Sequence, residues 1–470
     1  ELIEVGGVLA VAEDLGLERS RLVLLGPGEG VDAGAPARHL GRGVEVPAGP
    51  ELIGRVIDPL GRPLDGRAPP ATRRRVRVER APIPLAEREP VTRPLRTGVF
   101  GVDTMIPIGM GQRQLVIGDR STGKTELCLD ILAALDRDTV GMYVAIGRRG
   151  SDVAAQVQWL REVGLLDHGL CVVTDADDPV GLIQLAPYAA TAMAEALAEQ
   201  GRDVVIVYDD LTSHAHAHRT LALLMGRPVG REAHPVDVFY AHARLLERAT
   251  QLGRTRGGGS ITAFPIIETQ AGDLTGYIPT NLVSITDGQI RLDAALAASG
   301  LSPAVDVTLS VSRVGSKAQP AVVRQLAGRF KNRYAQFLEL EAFARFGTRL
   351  EPTAQAVVEW GRRVRQALRQ DRGVSRTWAD TMARMLVVQA EGFERAPQPE
   401  LGALVDRVCA SLRREPVFAR LGTGHATVEP EALDACRTAA TRLLAELSGH
   451  DGSAGEGEPA AAPDEPGDRP

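Results

Sequence analysis

The sequence contains few lysines, aromatic residues and cysteines, and it has no long apolar run. Lysine occurs only at Lys124, Lys317 and Lys331, and aromatic residues make up 4% of the chain. The four cysteines lack metal-ligand spacing, which predicts reduced core residues of a cytosolic protein and argues against disulfides. No apolar stretch approaches the ~20 residues needed to cross a bilayer, so any membrane association is expected to depend on partners.

Negative charge is concentrated at the C-terminus. The formal net charge is -6, and residues 451–470 hold six acids against one arginine, a net of -5. The rest of the chain is therefore nearly neutral, which excludes the basic surface typical of nucleic-acid-binding proteins. The same segment is mostly Gly, Pro, Ala and acidic residues without an aromatic, so we predict that residues 450–470 form a disordered acidic tail.

A glycine-rich loop between an apolar run and a helix is the strongest chemical signal. It follows the apolar residues 115–117. Glycines let successive backbone N–H groups point at one anion, the lysine reaches the β- and γ-phosphates, and the threonine hydroxyl ligates Mg²⁺. The pattern predicts a nucleotide-binding site formed by Gly118, Asp119, Arg120, Ser121, Thr122, Gly123, Lys124 and Thr125.

A second acidic residue for the metal follows another apolar run. Residues 204–209 read VVIVYD, which is typical of a buried parallel strand that ends at the ligand-binding edge of a sheet. We expect Asp209 to hold Mg²⁺ through water while Thr125 ligates it. Asp210 is the alternative, and its other possible role is to cap the next helix. Asp209 is favoured because it ends the apolar run.

The chain divides into three blocks. Residues 1–66 contain short apolar runs broken by Gly and Pro, which predicts a small β-barrel, and residues 67–96 form a proline-rich connector. In residues 97–330, apolar strands alternate with helix-length segments, which predicts a P-loop domain with a doubly wound parallel sheet. Residues 331–449 show helical periodicity only and are predicted to form a helical domain. The fold class is therefore α/β with a barrel before it and helices after it. The predicted strands lie at residues 115–117, 141–146, 170–174, 204–208, 260–267 and 306–311.

Several ordered stretches resemble the α and β subunits of F-type ATP synthases, and most resemble α. Residues 54–66 read GRVIDPLGRPLDG, residues 267–273 read IETQAGD, and residues 303–316 read PAVDVTLSVSRVGS. The order of barrel, P-loop domain and helical domain is also similar, so the resemblance covers nearly the whole chain. It implies a chain that opens inside the barrel, as a fragment or shortened form, because the N-terminal helix and first strands of an α subunit do not precede residue 1.

The resemblance also implies which kind of subunit this is. Only β catalyses in that family, and catalytic members place a glutamate after a glycine at the end of the strand that follows the P-loop helix. Here that strand is followed by Gly147 and Arg148, so a cation replaces the base. The loop residues at 119–121 are α-like as well, although Ser121 and Arg148 stand where α subunits commonly have glutamine. The implied function is a nucleotide-binding, non-catalytic α subunit.

An α subunit of this family implies a set of partners and cofactors. These are an alternating ring with β subunits, central and peripheral stalk subunits, and indirectly a membrane rotor, at the cytoplasmic face of a bacterial plasma membrane. The assembly synthesises or hydrolyses ATP coupled to ion transport, with ATP or ADP and Mg²⁺ as ligands. Arg313 is implied to be an arginine finger that reaches the neighbouring β site, although spacing alone fits a strand-end ion pair equally well. Gln370 is implied to contact the nucleotide, since it is the one retained member of a usual glutamine pair.

Three alternatives share parts of this pattern. A secretion-type or flagellar ATPase would need the catalytic glutamate that Arg148 replaces. A ring-shaped RNA helicase would need a basic barrel with aromatic residues, and residues 1–66 contain no Phe, Tyr or Trp. A ring subunit that has lost nucleotide binding would not need Lys124, Thr125 and Asp209.

Overall fold

The computed structural model describes residues 1–16, 18–345, 351–422, 424 and 428–448. The described residues form an N-terminal part made of strands, a central α/β part and a C-terminal part made of helices. This is the predicted fold class. The segment 450–470, predicted as an acidic tail, lies outside the described residues.

Most strands of the N-terminal part pair in antiparallel fashion. The first two strands form a hairpin whose connection, Gly6 and Gly7, has positive φ at both positions, as the twist of a tight hairpin requires. The strands are β1 (Leu2–Val5), β2 (Val8–Leu15), β3 (Ser20–Leu24), β4 (Ala37–His39), β5 (Glu45–Ala48), β6 (Val56–Ile57), β7 (Arg74–Arg77), β8 (Arg88–Glu89) and β9 (Pro94–Leu95). One sheet has the order β3-β2-β1-β4, and a second pairs β5 with β7. These sheets supply part of the predicted barrel.

The central part is built on a ten-stranded sheet, and every strand predicted between residues 97 and 330 is present. Its strands are β10 (Ile108–Gly109, paired outside this sheet with β9), β11 (Leu115–Asp119), β12 (Thr139–Arg148), β13 (Gly169–Asp175), β14 (Asp203–Asp209), β15 (Gln251–Leu252), β16 (Ser260–Thr269), β17 (Gly288–Leu292) and β18 (Val305–Ser312). The main order is β18-β17-β11-β16-β14-β12-β13-β6, with β15 and β8 joined beside β16. All pairs from β17 to β6 are parallel, whereas β18 runs antiparallel at the edge.

Helices cover both faces of this sheet. They are α1 (Phe100–Met105), α2 (Lys124–Ala133), α3 (Gly150–Glu162), α4 (Val180–Ala198), α5 (Leu211–Leu224), α6 (Val238–Leu246), α7 (Tyr277–Ile285) and α8 (Ala294–Ala298). Alternate residues of one strand enter different cores: Val205 and Val207 pack with residues of α2 and α3, whereas Val204 and Ile206 pack with residues of α4 and α5. A near-continuous apolar strand is therefore required here, as in other parallel sheets buried on both faces. The arrangement confirms the predicted doubly wound fold.

Helix α4 corrects the expectation that no apolar stretch of the chain approaches the length needed to cross a bilayer. It is 19 residues long with a mean hydropathy of 1.2, so by length and composition it is apolar enough to cross a membrane. In the structure, 78% of that stretch is buried, and the helix packs against β12, β13 and β14. Its apolar character is accounted for by a position in the core, where most of the helix surface is buried.

A pair of buried histidines on α5 and α6 predicts a pH-dependent stability. His214 Nε2 donates to the Gln184 carbonyl at 3.2 Å, so its Nδ1 can accept from His242 Nε2 at 3.1 Å, and both rings are neutral. Burial lowers the pKa of both rings. The unfolded chain takes up protons near pH 6.5 but the folded chain does not, so stability is full above that pH and falls below it.

We expect the free energy of unfolding to fall by up to about 1.4 kcal/mol per pH unit for each of these histidines below pH ~6.5. Chemical denaturation at neutral and mildly acidic pH measures this slope. The double change His214→Gln and His242→Gln should reduce the slope, whereas His39→Gln, at an exposed position, should not. An unchanged slope in the double variant would refute the assignment.

The C-terminal part contains helices joined by loops and turns, and no strand among its described residues. Its helices are α9 (Ala321–Arg345), α10 (Pro352–Ala367), α11 (Trp378–Val388), α12 (Leu401–Arg414), α13 (Pro416–Ala419) and α14 (Pro430–Leu447). The apolar stripe of α11 is core packing, since Met382, Met385 and Leu386 are buried. The buried Trp360 ring donates from Nε1 to the Val388 carbonyl at 2.7 Å, which joins α10 to the end of α11. All four cysteines are buried free thiols, as expected.

Candidate nucleotide-binding site

The glycine-rich loop joins β11 to α2 at the carboxyl edge of the sheet. Gly123, just before α2, has φ of +92°, and Ser121 also has positive φ. A Cβ at Gly118 would lie 2.6 Å from the Leu292 carbonyl oxygen, so glycine is required there by close packing. The loop therefore reaches the N-terminus of α2 with the tight curvature that the sequence predicts, and the free N–H groups of that helix end favour an anion.

Lys124 and Asp119 fix the shape of the loop. Lys124 is 5% exposed, and its Nζ donates to the Asp119 carbonyl at 2.6 Å. Burial lowers the pKa of Lys124. The Asp119 carboxylate accepts from the Thr269 hydroxyl at 2.6 Å and from the Gly272 amide at 2.8 Å, and the Thr269 hydrogen bond lowers the pKa of that carboxyl. Asp119 thus ties the loop to the end of β16.

Asp209 lies beside Thr125, as the sequence predicts. Its Oδ2 accepts from the Thr125 hydroxyl at 3.0 Å and from the Tyr143 hydroxyl at 2.8 Å. The carboxyl is completely buried, and this burial raises its pKa to about 6. Its Oδ1 is buried and accepts no hydrogen bond from the described residues. Tyr143 was not identified from the sequence as a site residue, although a tyrosine in a buried strand needs a partner for its hydroxyl.

Arg148 and Asp210 complete the carboxylate side of the site. Asp210 caps α5, since its Oδ1 accepts from the Ser213 amide at 2.7 Å. Its Oδ2 accepts from Arg148 Nη1 at 3.1 Å, and the same nitrogen lies 3.7 Å from Asp209 Oδ1. Burial alone would lower the pKa of Arg148, but the two carboxylates raise it above its usual value. Arg148 therefore remains a cation.

These groups line one cavity of about 620 Å³. Of the predicted loop residues, Arg120, Ser121, Gly123, Lys124 and Thr125 line it, whereas Gly118, Asp119 and Thr122 are not part of the lining. A volume of this size is in the range of ligand pockets. The cationic side chains of the lining are Arg120, Lys124, Arg148, Arg149 and Arg372. The lining also holds five carboxylates, those of Glu126, Asp152, Asp209, Asp210 and Glu268, so its formal charge is balanced. The feature that favours a phosphate-bearing ligand is the N-terminus of α2 with Lys124 beside it.

Gln370 is not brought to this cavity. It is 7% exposed, and its amide donates to the Gly98 carbonyl at 2.7 Å and accepts from the Phe100 amide at 3.1 Å. Its nearby residue Arg372 does line the cavity, with its guanidinium 4.5 Å from the centre of the Trp159 ring. That contact joins segments far apart in the chain, so the sequence carries no local signal for it.

Arg313 lies at another edge of the domain and is not part of the cavity lining. It follows β18, the antiparallel edge strand, and its side chain is exposed. Its guanidinium donates to the backbone carbonyls of Thr286 and Val283 at 3.1 and 3.4 Å. From its spacing alone, Arg313 could equally have formed an ion pair at the end of the strand. Among the described residues it makes these two hydrogen bonds instead.

The donor set fits Mg²⁺ together with a nucleotide. The described residues contain no group of three His, Cys, Asp or Glu side chains that could hold a metal without help. Mg²⁺ prefers oxygen ligands and is usually bound by one or two carboxylates plus substrate phosphates. The Thr125 hydroxyl and the unpaired, buried Oδ1 of Asp209 supply such oxygens.

The comparisons with family models and with known proteins agree on one family. The model of the nucleotide-binding domain of the ATP synthase alpha/beta family matches residues 98–312, and that of the C-terminal domain of the ATP synthase alpha/beta chain matches residues 319–431. The chain is 48% identical over 457 residues to ATP synthase subunit alpha 2 of Syntrophotalea carbinolica, covering 96% of this chain and 88% of the relative. It is 50% identical over 399 residues to ATP synthase subunit alpha 2 of Polaromonas naphthalenivorans, covering 85% and 77% of the two chains. The chain therefore belongs to the ATP synthase alpha/beta family, and within it resembles the alpha subunits, which confirms the resemblance seen in the sequence.

Proposed function

We propose that this chain is a nucleotide-binding, non-catalytic α subunit of a bacterial rotary F-type ATP synthase. Membership of the family makes the chain part of a complex that synthesises or hydrolyses ATP. The single observation that carries the finer proposal combines two features. The phosphate-binding loop of residues 118–125, called the phosphate cradle below, is complete, and an arginine, Arg148, stands at the position where a general base is needed.

The cradle supports binding of ATP or ADP with Mg²⁺. Lys124 is available to the β- and γ-phosphates once it leaves the Asp119 carbonyl, and the N-terminus of α2 adds backbone donors. Thr125 and Asp209 would hold Mg²⁺, Asp209 through water. The metal, when bound, neutralises charge on the phosphate oxygens.

We expect no hydrolysis because Arg148, the last residue of β12, carries a positive charge. Orienting an attacking water requires a hydrogen-bond acceptor beside the γ-phosphate, and a guanidinium offers donors only. Arg148 also pairs with Asp210, so that carboxylate is held away from a role as base. Glu268 does line the cavity, at the end of β16. A turnover measurement is therefore the decisive test of the non-catalytic proposal.

The second proposed role is that of Arg313, which would act in the catalytic site of a neighbouring subunit and not in this chain's own site. Arg313 is exposed at a sheet edge, and the neighbouring strand residues Leu309 and Val311 are 45% and 40% exposed. An apolar edge with an exposed guanidinium fits an interface with a second subunit. We propose that the β subunit covers this edge in an alternating ring and that Arg313 enters its catalytic site. Stalk subunits and a membrane rotor complete the assembly, which places the chain at the cytoplasmic face of the plasma membrane.

The isolated full-length chain should bind one Mg-nucleotide and not turn it over. Equilibrium dialysis with labelled ATP measures the stoichiometry, and release of phosphate from the same sample measures turnover. We expect binding near one nucleotide per chain without steady phosphate release. Steady release would contradict the non-catalytic proposal, and loss of that release in a Glu268→Gln variant would identify the base. A chain that binds no nucleotide would support the alternative of a purely structural ring subunit.

A further inference from the structure

Arg148 brings a fixed positive charge into the phosphate cavity from a strand other than the one before the P-loop. It is the last residue of β12, and its side chain is 22% exposed. Gly147 before it has φ of +59°, and the register with β13 shifts between Ala145 and Arg148. Such an irregularity at a strand end redirects the side chain that follows it, here into the cavity.

The guanidinium faces the one open oxygen of Asp209. Because Oδ2 already accepts from Thr125 and Tyr143, Oδ1 is the acceptor that remains. Arg148 Nη1 is 3.7 Å from this oxygen, which is close enough for an ion pair but too far for a hydrogen bond. Its hydrogen bond goes to Asp210 Oδ2 at 3.1 Å.

Mg²⁺ would draw on the same oxygen. Since Oδ2 already accepts two hydrogen bonds, Oδ1 would be the oxygen of this carboxylate that is left to hold the metal through water. A guanidinium cannot lose its proton in a protein, so two cations would compete there. Either Arg148 moves aside when the metal binds, or it performs part of the charge neutralisation itself. Its charged N–H groups can also donate to phosphate oxygens, which lets it turn from the carboxylates to the ligand.

We propose that Arg148 supplies part of the positive charge that Mg²⁺ otherwise supplies, so that this site binds metal-free nucleoside triphosphate nearly as well as the Mg²⁺ complex. The proposal rests on the proposed function, because it requires that the cavity bind a nucleotide. It goes further by assigning to one residue the metal dependence of that binding. If Arg148 were only an ion-pair partner of the helix-capping Asp210, removing it would leave the metal dependence unchanged.

The test compares ATP affinity of the full-length chain in excess Mg²⁺ and in excess EDTA, by equilibrium dialysis with labelled ATP. For the parent, we expect the two affinities to agree within about 10-fold. Arg148→Gln should weaken metal-free binding by about 10- to 100-fold more than binding with Mg²⁺, which is the range for losing one charge-assisted contact. Arg148→Lys keeps the charge and should retain most of the metal-free binding. Arg161→Gln removes the same charge from an exposed position on α3, outside the cavity lining, and should leave the ratio as in the parent.

The outcomes separate this proposal from the proposed function. Equal loss with and without metal in Arg148→Gln, or a parent that already requires Mg²⁺ by more than about 100-fold, would overturn the inference while nucleotide binding stands. A parent that binds ATP in neither condition would overturn the proposed function itself. Circular dichroism of each variant shows whether it is folded. If Arg148→Gln is not folded, the comparison of Arg148→Lys with Arg161→Gln decides, and weak metal-free binding by the lysine variant alone would count against the proposal.

Discussion

Replacing Arg313 by alanine should reduce multisite ATP hydrolysis by the assembled α/β complex by roughly 10³- to 10⁵-fold, the range for removing an arginine finger. The physical reason is that a guanidinium beside the γ-phosphoryl group stabilises charge that develops only in the transition state. Because Arg313 is exposed and donates to backbone carbonyls of its own chain, its removal should leave the fold, the assembly and nucleotide binding near normal.

Two further variants make the Arg313 test specific. Arg313→Lys should restore little activity, because a point charge lacks the planar fork. Arg324→Ala removes an exposed arginine of α9 and should leave turnover close to that of the parent. Steady-state turnover of complexes that are matched for subunit content provides the measurement. An assembled Arg313→Ala complex with nearly normal turnover would rule out the finger.

Replacing Lys124 by alanine should weaken ATP binding by the isolated chain about 100-fold, which amounts to loss of detectable binding under ordinary conditions. The lysine is buried at the cavity wall, and its ammonium is the group that we expect to contact the terminal phosphates. Its one hydrogen bond in the described structure goes to a loop carbonyl, so the core should stay folded without it.

The matched control for Lys124 is Lys317→Ala. Lys317 is exposed in a short turn after β18, so the same truncation there should leave the affinity unchanged. Thermal unfolding of both variants checks that the fold is retained. If the Lys124→Ala chain bound ATP as tightly as the parent, the phosphate cradle would be assigned wrongly.

The sequence predicted those parts of the protein whose signal is local. Each of the six apolar runs predicted as strands between residues 115 and 311 is a strand in the structure. For the central strands the reason is that a strand buried on both faces must be almost entirely apolar, whereas β18 lies at the exposed edge. The position of Asp209 beside Thr125 was also predictable, because parallel strands bring their carboxyl ends to one edge of the sheet. The glycine loop shows the required positive φ at Gly123.

Contacts between distant segments could not be predicted in this way. The Tyr143 hydroxyl meets Asp209 across two neighbouring strands, and Arg372 covers Trp159 from more than 200 residues away. Gln370, expected at the nucleotide, is hydrogen-bonded to Gly98 and to Phe100, the first residue of α1, and does not line the cavity, so its contact with the nucleotide stays a prediction. The apolar length of α4 was also missed, because an alanine-rich core helix is read as neither amphipathic nor strongly hydrophobic.

ATP turnover measured in three samples tests the central claim most directly: the full-length chain alone, the partner β subunits alone, and the reconstituted mixture. The claim is that this chain binds nucleotide, does not hydrolyse it, and completes the site of its neighbour through Arg313. It predicts no steady turnover by the chain alone and fast turnover by the mixture, well above that of the β subunits alone. Turnover by the chain alone at the rate of the mixture would contradict it.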